Sequence, residues 1–291
     1  MKELDIKLSY NCNNNCLFCL NKEKKFFSYT TEELKKQIKD SAEKGCQRLI
    51  ISGGEPLING SFFKIIQYAK KCNIPFYEIQ TNGRMLFYED IVVRIKNICQ
   101  NVSFLVSFHY YSPEMYKKYS QADGFYQVLE GLKNLKKHNL NFTTNTVLFK
   151  KNVNYLDRIL DILDEVGCKS CQFRFIDGHN VESEFFDFVP RMEEAVAEIK
   201  KIIHNYPGIN IHVHDIPFCV LGEDLSKNIS PFPSKERENL NIKKEVLTSL
   251  DIVRSQFIYP NCQNCLLKDK CVGVRKSYLK FYGNKEFNPI V

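Results

Sequence analysis

Long apolar runs are missing from this chain of 291 residues, which excludes a helical membrane span, since a span needs about 18 or more consecutive apolar residues. Its first residues, Met1, Lys2, Glu3, Leu4 and Asp5, lack the apolar stretch of a secretory signal. Both absences place the protein in the cytoplasm as an expectation. No internal repeat or low-complexity segment stands out, so solenoid and disordered classes drop away. Acidic residues do not balance basic ones: 41 Lys and Arg against 34 Asp and Glu leave a formal charge of +7. The excess is lysine scattered among asparagine and isoleucine, which reads as a solvated surface rather than a nucleic-acid footprint. Hydrophobic residues at 44% and charged residues at 26% describe an ordinary globular chain with a full core.

Cysteine is abundant, with twelve residues. In a reducing compartment that number argues for metal or catalytic use over a disulfide framework. Five of them, Cys46, Cys72, Cys99, Cys168 and Cys171, lie in helix or strand patterns and read as small buried hydrophobes. The other seven form two groups. Cys12, Cys16 and Cys19 have C-x3-C-x2-C spacing directly after a strand-like segment. Three thiolates so close can hold three corners of an iron-sulfur cube and leave the fourth iron without a protein ligand. Zinc is the rival occupant, but no nearby histidine offers a fourth ligand.

Strand-like runs alternate with amphipathic helical runs from residue 4 to about 214. Strands are expected at 4–9, 48–52, 76–80, 102–107, 142–148, 172–176 and 209–213. Helices are expected at 31–44, 61–71, 88–98, 126–137, 153–166 and 191–204. Thr30 and Glu33 make a capping box for the first helix. Such alternation calls for parallel strands joined by right-handed crossovers. The expected fold is α/β, an incomplete (β/α)6 TIM-like barrel, whose functional residues gather where strands end. Past about Asp215 the pattern fails, apart from a helix expected at 234–250. The expected division is a barrel over 1–207 and a small Fe-S domain over 208–291.

Gly53, Gly54, Glu55 and Pro56 end the second strand, where two glycines permit close backbone approach and Glu55 can accept from an amine. With the cysteine triplet, this motif resembles the radical S-adenosylmethionine (radical SAM) superfamily, whose hallmark is C-x3-C-x-Φ-C followed one strand later by G-G-E. The resemblance implies that S-adenosylmethionine chelates the open iron of a [4Fe-4S] cluster through its amine and carboxylate. One-electron reduction then yields a 5′-deoxyadenosyl radical that abstracts a substrate hydrogen. It further implies that Phe18 lies beside the adenine and that Gly53, Gly54 and Glu55 bind the methionyl amine. By position, Thr81, Asn82, Ser107 and Asn145 are candidates for the methionyl carboxylate or ribose. Arg174 and Asp177, at the sixth strand, face either substrate or structure.

The second group is Cys262, Cys265 and Cys271, with Cys219 upstream. Its C-x2-C-x5-C spacing resembles the SPASM extension of peptide-modifying radical SAM enzymes. Arg275 stands where the extension has a further cysteine, so a shortened, Twitch-like domain with one auxiliary [4Fe-4S] cluster fits better. Four cysteines equally suit tetrahedral zinc. The implied function is modification of a peptide or protein by crosslinking, epimerisation or oxidation. Alternatives are synthesis of a small-molecule cofactor or natural product, and a non-catalytic Fe-S or zinc scaffold. The implied partners are a one-electron donor such as flavodoxin or ferredoxin and a peptide substrate. Because residue 4 already opens the first strand, peptide recognition is expected to come from a separate protein.

Overall fold

The computed structural model describes residues 1–24, 26–176, 184–226, 237–240, 246–248, 260–268 and 271–291. Seven strands run parallel in chain order: β1 (Glu3–Lys7), β2 (Arg48–Ser52), β3 (Phe76–Thr81), β4 (Val102–Ser107), β5 (Asn141–Leu148), β6 (Ser170–Phe175) and β7 (Asn210–His214). Each pairs with its neighbour in sequence, as repeated strand-helix-strand units require. β7 begins after the boundary expected at 208 and pairs with β6 along its whole length.

Helices cover one face of this sheet. They are α1 (Thr31–Glu43), α2 (Phe62–Lys71), α3 (Glu89–Ile98), α4 (Pro113–Ser120), α5 (Phe125–Lys137) and α6 (Leu156–Glu165), then α7 (Phe185–Phe188) and α8 (Met192–Ile202). Their buried residues recur at helical spacing, as in Val128, Leu132 and Leu135 of α5 or Ile159, Leu160 and Leu163 of α6. They meet the alternate strand residues Phe104, Val106, Cys171, Phe173, Ile211 and Val213, which join them in one core. The expected capping box is present: Thr30 Oγ1 accepts from Glu33 N–H at 3.2 Å, and Glu33 accepts from Thr30 N–H at 2.9 Å. α4 was not expected. Ser112 caps it, Pro113 opens it, and Tyr116, Tyr119 and Ser120 are its buried residues.

The helix expected at 234–250 is corrected. β8 (Arg237–Leu240) and β9 (Val246–Thr248) occur inside that range, and the rest of it lies outside the described residues. β8 pairs in parallel with β1 through Glu3, Leu4 and Asp5, and β9 runs antiparallel to β8. An unpaired edge of β1 would expose a row of backbone donors and acceptors; β8 satisfies it. That long-range demand outweighs the local helical pattern of a lysine- and glutamate-rich stretch.

The C-terminal chain includes α9 (Phe218–Ser226), kinked at Gly222, and α10 (Lys276–Tyr282). Tyr278 anchors α10 to the barrel. Its hydroxyl accepts from Met192 N–H at 2.8 Å and donates to Glu286, whose carboxylate also pairs with Arg191 at 2.9 Å. Phe281 stacks on Phe185 with centroids 4.2 Å apart. Among the described residues no helix is long and apolar enough to cross a membrane.

Candidate active site

Cys12, Cys16 and Cys19 lie in the loop after β1, at the end of the sheet where loops gather. The three asparagines between the first two cysteines hold that loop. Asn13 accepts from Asn82 Nδ2 through its side chain at 2.7 Å and from Arg84 through its carbonyl. Asn14 donates to Tyr116 at 3.0 Å and accepts from Arg84 at 3.0 Å. Asn15 donates from its side chain to Gln121 at 2.7 Å and from its backbone to Ser120 at 2.8 Å. Sequence analysis assigned these asparagines no role. Three consecutive amides in a short loop were the available signal, because such side chains compete for backbone and side-chain partners.

The thiols sense one another. Burial, then the neighbouring Cys19 and Cys12 thiols, push Cys16 up to about 12, and Cys12 is raised mainly by burial. Thiolates at Cys12 and Cys16 would therefore not persist there without compensating positive charge, which the irons of a cluster provide. Cys12 Sγ already accepts from Asn14 N–H at 3.4 Å and Asn82 Nδ2 at 3.6 Å, the donors a thiolate ligand calls for. Among the described residues no three His, Cys, Asp or Glu side chains meet closely enough to hold a single metal ion. A cube presents its irons at separate corners, so its ligands need not converge on one point.

Gly53 and Gly54 serve the loop directly. Gly53 has φ +129°, and a Cβ there would lie 2.2 Å from Ser9 O; one on Gly54 would lie 2.2 Å from Asn11 O. Their close approach allows Gly54 N–H to reach Ser9 O at 2.9 Å and Glu55 N–H to reach Asn11 O at 2.8 Å. The close contact that these glycines permit is thus with the cysteine loop's own backbone. Glu55 is fully buried and accepts from Leu57 N–H at 3.0 Å, Thr81 Oγ1 at 2.7 Å and Asn82 N–H at 2.7 Å. A carboxylate has about four acceptor positions, so one remains. Burial raises its pKa to about 7, and the three donors with Arg84 restrain the rise.

Thr81 and Asn82 are thereby committed to the framework, linking Glu55 to Cys12 and Asn13. Phe18 is buried against His109, with centroids 5.5 Å apart, and Phe149, at 5.2 Å. His109 Nδ1 accepts from Val147 N–H at 3.1 Å, and burial lowers its pKa to about 4, so the ring is neutral with its proton on Nε2.

Ser107 and Asn145 are partners across β4 and β5, Asn145 opposes Gln172 on β6, and Gln172 opposes His212 on β7. Two residues farther along, Arg174 opposes His214 and pairs with Asp215 at 2.8 Å. Asn145 Oδ1, Gln172 Oε1 and His214 Nε2 are buried without hydrogen-bond partners. Sequence reading missed Gln172 and His214; only their alternation with buried apolar neighbours along their strands could have marked them. Asp177 lies outside the described residues.

Cys219, Cys262, Cys265 and Cys271 line one cavity, together with Pro217, Phe218, Val274 and Phe287. Burial, then the Cys271 thiol, push Cys219 up to about 11, while the Asn288 N–H eases it; Cys271 Sγ accepts from Gly273 N–H at 3.5 Å. Four soft donors around an apolar cavity fit a cluster with every corner ligated. The remaining cysteines behave as expected of small core residues: Cys46, Cys99, Cys168 and Cys171 are buried and Cys72 is partly buried against the core. Cys168 and Cys171 are thiols, not a disulfide.

Comparison with known proteins identifies the family. The model of the Radical SAM superfamily matches residues 6–163, more than half of the chain, and the chain belongs to that superfamily of iron-sulfur enzymes, which use a [4Fe-4S] cluster and S-adenosylmethionine. An uncharacterized protein of Methanocaldococcus jannaschii is 29% identical over 217 residues, covering 69% of this chain and 71% of its own. A probable GTP 3′,8-cyclase of Sulfurisphaera tokodaii is 26% identical over 205 residues, covering 69% of this chain and 64% of its own. Streptococcus suis SuiB, solved with S-adenosylmethionine and with its precursor peptide SuiA, superposes with a TM-score of 0.70 in the former structure. That superposition covers 96% of this chain and 73% of SuiB, and at 13% identity it is a likeness of fold.

Proposed function

We propose that this enzyme abstracts a hydrogen atom from a peptide or protein, with Cys12, Cys16 and Cys19 holding the S-adenosylmethionine cluster and Cys219, Cys262, Cys265 and Cys271 holding an auxiliary [4Fe-4S] cluster in a C-terminal unit over about 208–291. When bound and reduced by one electron, the first cluster supplies reductive cleavage of S-adenosylmethionine, ending in methionine, 5′-deoxyadenosine and a substrate left one hydrogen atom short. Asn14 and Asn82 donate to Cys12 and hold that ligand in place. Glu55 retains one acceptor position for the methionyl amine, and Gly53 and Gly54 bring it against the cysteine loop. Phe18, the buried aromatic just before Cys19, is the candidate neighbour of the adenine. Ser107 and Asn145 are candidates for the ribose or carboxylate.

The observation that carries the substrate reading is the set of unpaired polar atoms across β5, β6 and β7. Asn145 Oδ1 and Gln172 Oε1 are acceptors lacking donors, and His214, whose pKa burial lowers to about 4, is neutral. Arg174 has its charge offset by Asp215. Such a wall favours a neutral group rich in N–H donors, as a peptide backbone is, over a phosphate or carboxylate. SuiB has been solved with a precursor peptide on the same fold. A nucleotide substrate is the second reading, favoured by the likeness to the probable cyclase. A one-electron donor such as flavodoxin or ferredoxin and a separate peptide-recognition protein complete the proposal.

The first test is 5′-deoxyadenosine formation by the reduced, reconstituted chain; output no higher than a Cys16→Ala control defeats the enzyme reading. Deuterium transfer into 5′-deoxyadenosine from a labelled candidate peptide, compared with labelled GTP, separates the two substrate classes. For the second site, a Cys12→Ala/Cys16→Ala/Cys19→Ala variant should still bind iron and sulfide. A colourless, zinc-containing variant overturns the auxiliary cluster.

A further inference from the structure

Tyr110 follows β4 by three residues and is almost wholly enclosed, at 2% exposure. Its ring is wedged among His109, Tyr116, Tyr119 and Phe149, with centroids 5.7, 5.3, 6.3 and 6.2 Å away. That packing fixes where the hydroxyl points. Tyr116 Oη next to it accepts from Asn14, and the buried Tyr278 hydroxyl is bonded to Glu286 and Met192. Tyr110 Oη, by contrast, is buried and makes no hydrogen bond. Buried hydroxyls are rarely left so, because water's hydrogen bonds have been given up with nothing in return. The ionisable side chain that acts most strongly on this hydroxyl is the Cys16 thiol. The hydroxyl therefore reaches toward Cys16 without closing a bond of normal geometry.

We propose that Tyr110 is a positioning residue of the cluster: with a cube on Cys12, Cys16 and Cys19, its hydroxyl donates to sulfur at the Cys16 corner and raises the cluster's reduction potential. The inference rests on reading those three cysteines as the cluster ligands. A hydrogen bond to a cluster sulfur stabilises the reduced, more negative state more than the oxidised one. Tyr116, Tyr119 and Phe149 are themselves buried and enclose the phenol, so its hydroxyl has no solvent partner to turn to instead. Donors are thus distributed by residue: Asn14 N–H and Asn82 serve Cys12, and Tyr110 serves Cys16. The same bond accounts for the orphaned hydroxyl.

The test is an EPR-monitored redox titration of the full chain after anaerobic reconstitution, in wild type, Tyr110→Phe and Tyr116→Phe. The relevant cluster is the one whose signal changes when S-adenosylmethionine is added. Tyr110→Phe should keep its iron and sulfide while its reduced-to-oxidised ratio at the wild-type midpoint falls about tenfold, a shift of about 59 mV for one electron. Tyr116→Phe, whose lost hydroxyl faces Asn14, should change that ratio less than about threefold by the same conversion. If the phenylalanine variant fails to fold, 3-fluorotyrosine at position 110 keeps the ring and makes a stronger donor, and should raise the potential. A loaded Tyr110→Phe cluster with an unchanged or higher potential overturns the inference, as does a fluorotyrosine protein with an unchanged or lower one. A wild-type chain with no S-adenosylmethionine-responsive cluster overturns the underlying ligand reading instead, so the two failures are distinct.

Discussion

The loop of Cys12, Cys16 and Cys19 is tied by side chains and backbone to the ends of β2 and β3 and to α4, whereas the cavity of Cys219, Cys262, Cys265 and Cys271 is walled by apolar residues. On the proposed ligand assignment, the difference follows from the number of ligands. A cube held at three corners must be oriented by its surroundings, since its vacant iron has to face a cosubstrate, and the polar clamps on Asn13, Asn14 and Asn15 supply that orientation. A cube held at four corners is oriented by its own ligands and needs chiefly shielding.

The contrast breaks most clearly at the ligands. Cys16→Ala should lower 5′-deoxyadenosine formation by more than about a hundredfold, since even outer-sphere changes cost 10–100-fold at metal sites. Cys265→Ala should leave that reaction measurable while removing iron from the second site alone, read by iron analysis beside product chromatography. Equal loss in both variants would end the division into reactive and auxiliary sites.

Next in size is Gly54→Ala, whose Cβ would meet Asn11 O at 2.2 Å and Tyr10 O at 2.5 Å. Because backbone atoms cannot move aside as a side chain does, a loss of about 3 kcal/mol in thermal or denaturant unfolding is expected, with impaired cluster loading. An alanine variant as stable as wild type would show that the close approach is dispensable.

Glu55 sharpens the comparison through pH. Its folded pKa of about 7 lies above its ordinary 4.5, so burial of the neutral acid is fully tolerated below about pH 4.5, and stability is lost as pH rises from there through 7. The two values bound the loss at about 3 kcal/mol. Unfolding of the cluster-free protein measured between pH 4.5 and 7.5 should show that slope, and Glu55→Gln should flatten it. A smaller effect is expected from Asn82→Ala, which removes donors to Cys12 and Asn13 while keeping the backbone bond to Glu55. Cluster retention against a chelator should weaken 10–100-fold, the usual range for such a partner. Unchanged retention would mean that Asn82 orients nothing.

Much of this framework was legible locally. The seven parallel strands follow from alternating apolar residues, and the capping box from Thr30 and Glu33, because both depend on spacing within one turn or one strand. α4 escaped because its eight residues show a buried face only once Tyr116 and Tyr119 have a cluster loop to pack beside. β8 escaped because its partner is β1, more than two hundred residues earlier, and no local pattern encodes a pairing at that distance; β9 in turn pairs with β8.

By itself the sequence determined the chemistry of the donors: three thiolates at close spacing, a glycine pair and glutamate one strand later, and four more thiolates near the end. Ligand type and short-range spacing are covalent properties that the chain carries unfolded. Only tertiary structure decided what those residues do for one another. It turned Gly53 and Gly54 toward the cysteine loop's own backbone, bound Glu55 to Thr81 and Asn82, set Tyr110 against Cys16, and aligned Asn145 and Gln172 across neighbouring strands. Each of those contacts joins residues far apart along the chain, and it exists only once packing around the sheet has brought the strand ends together.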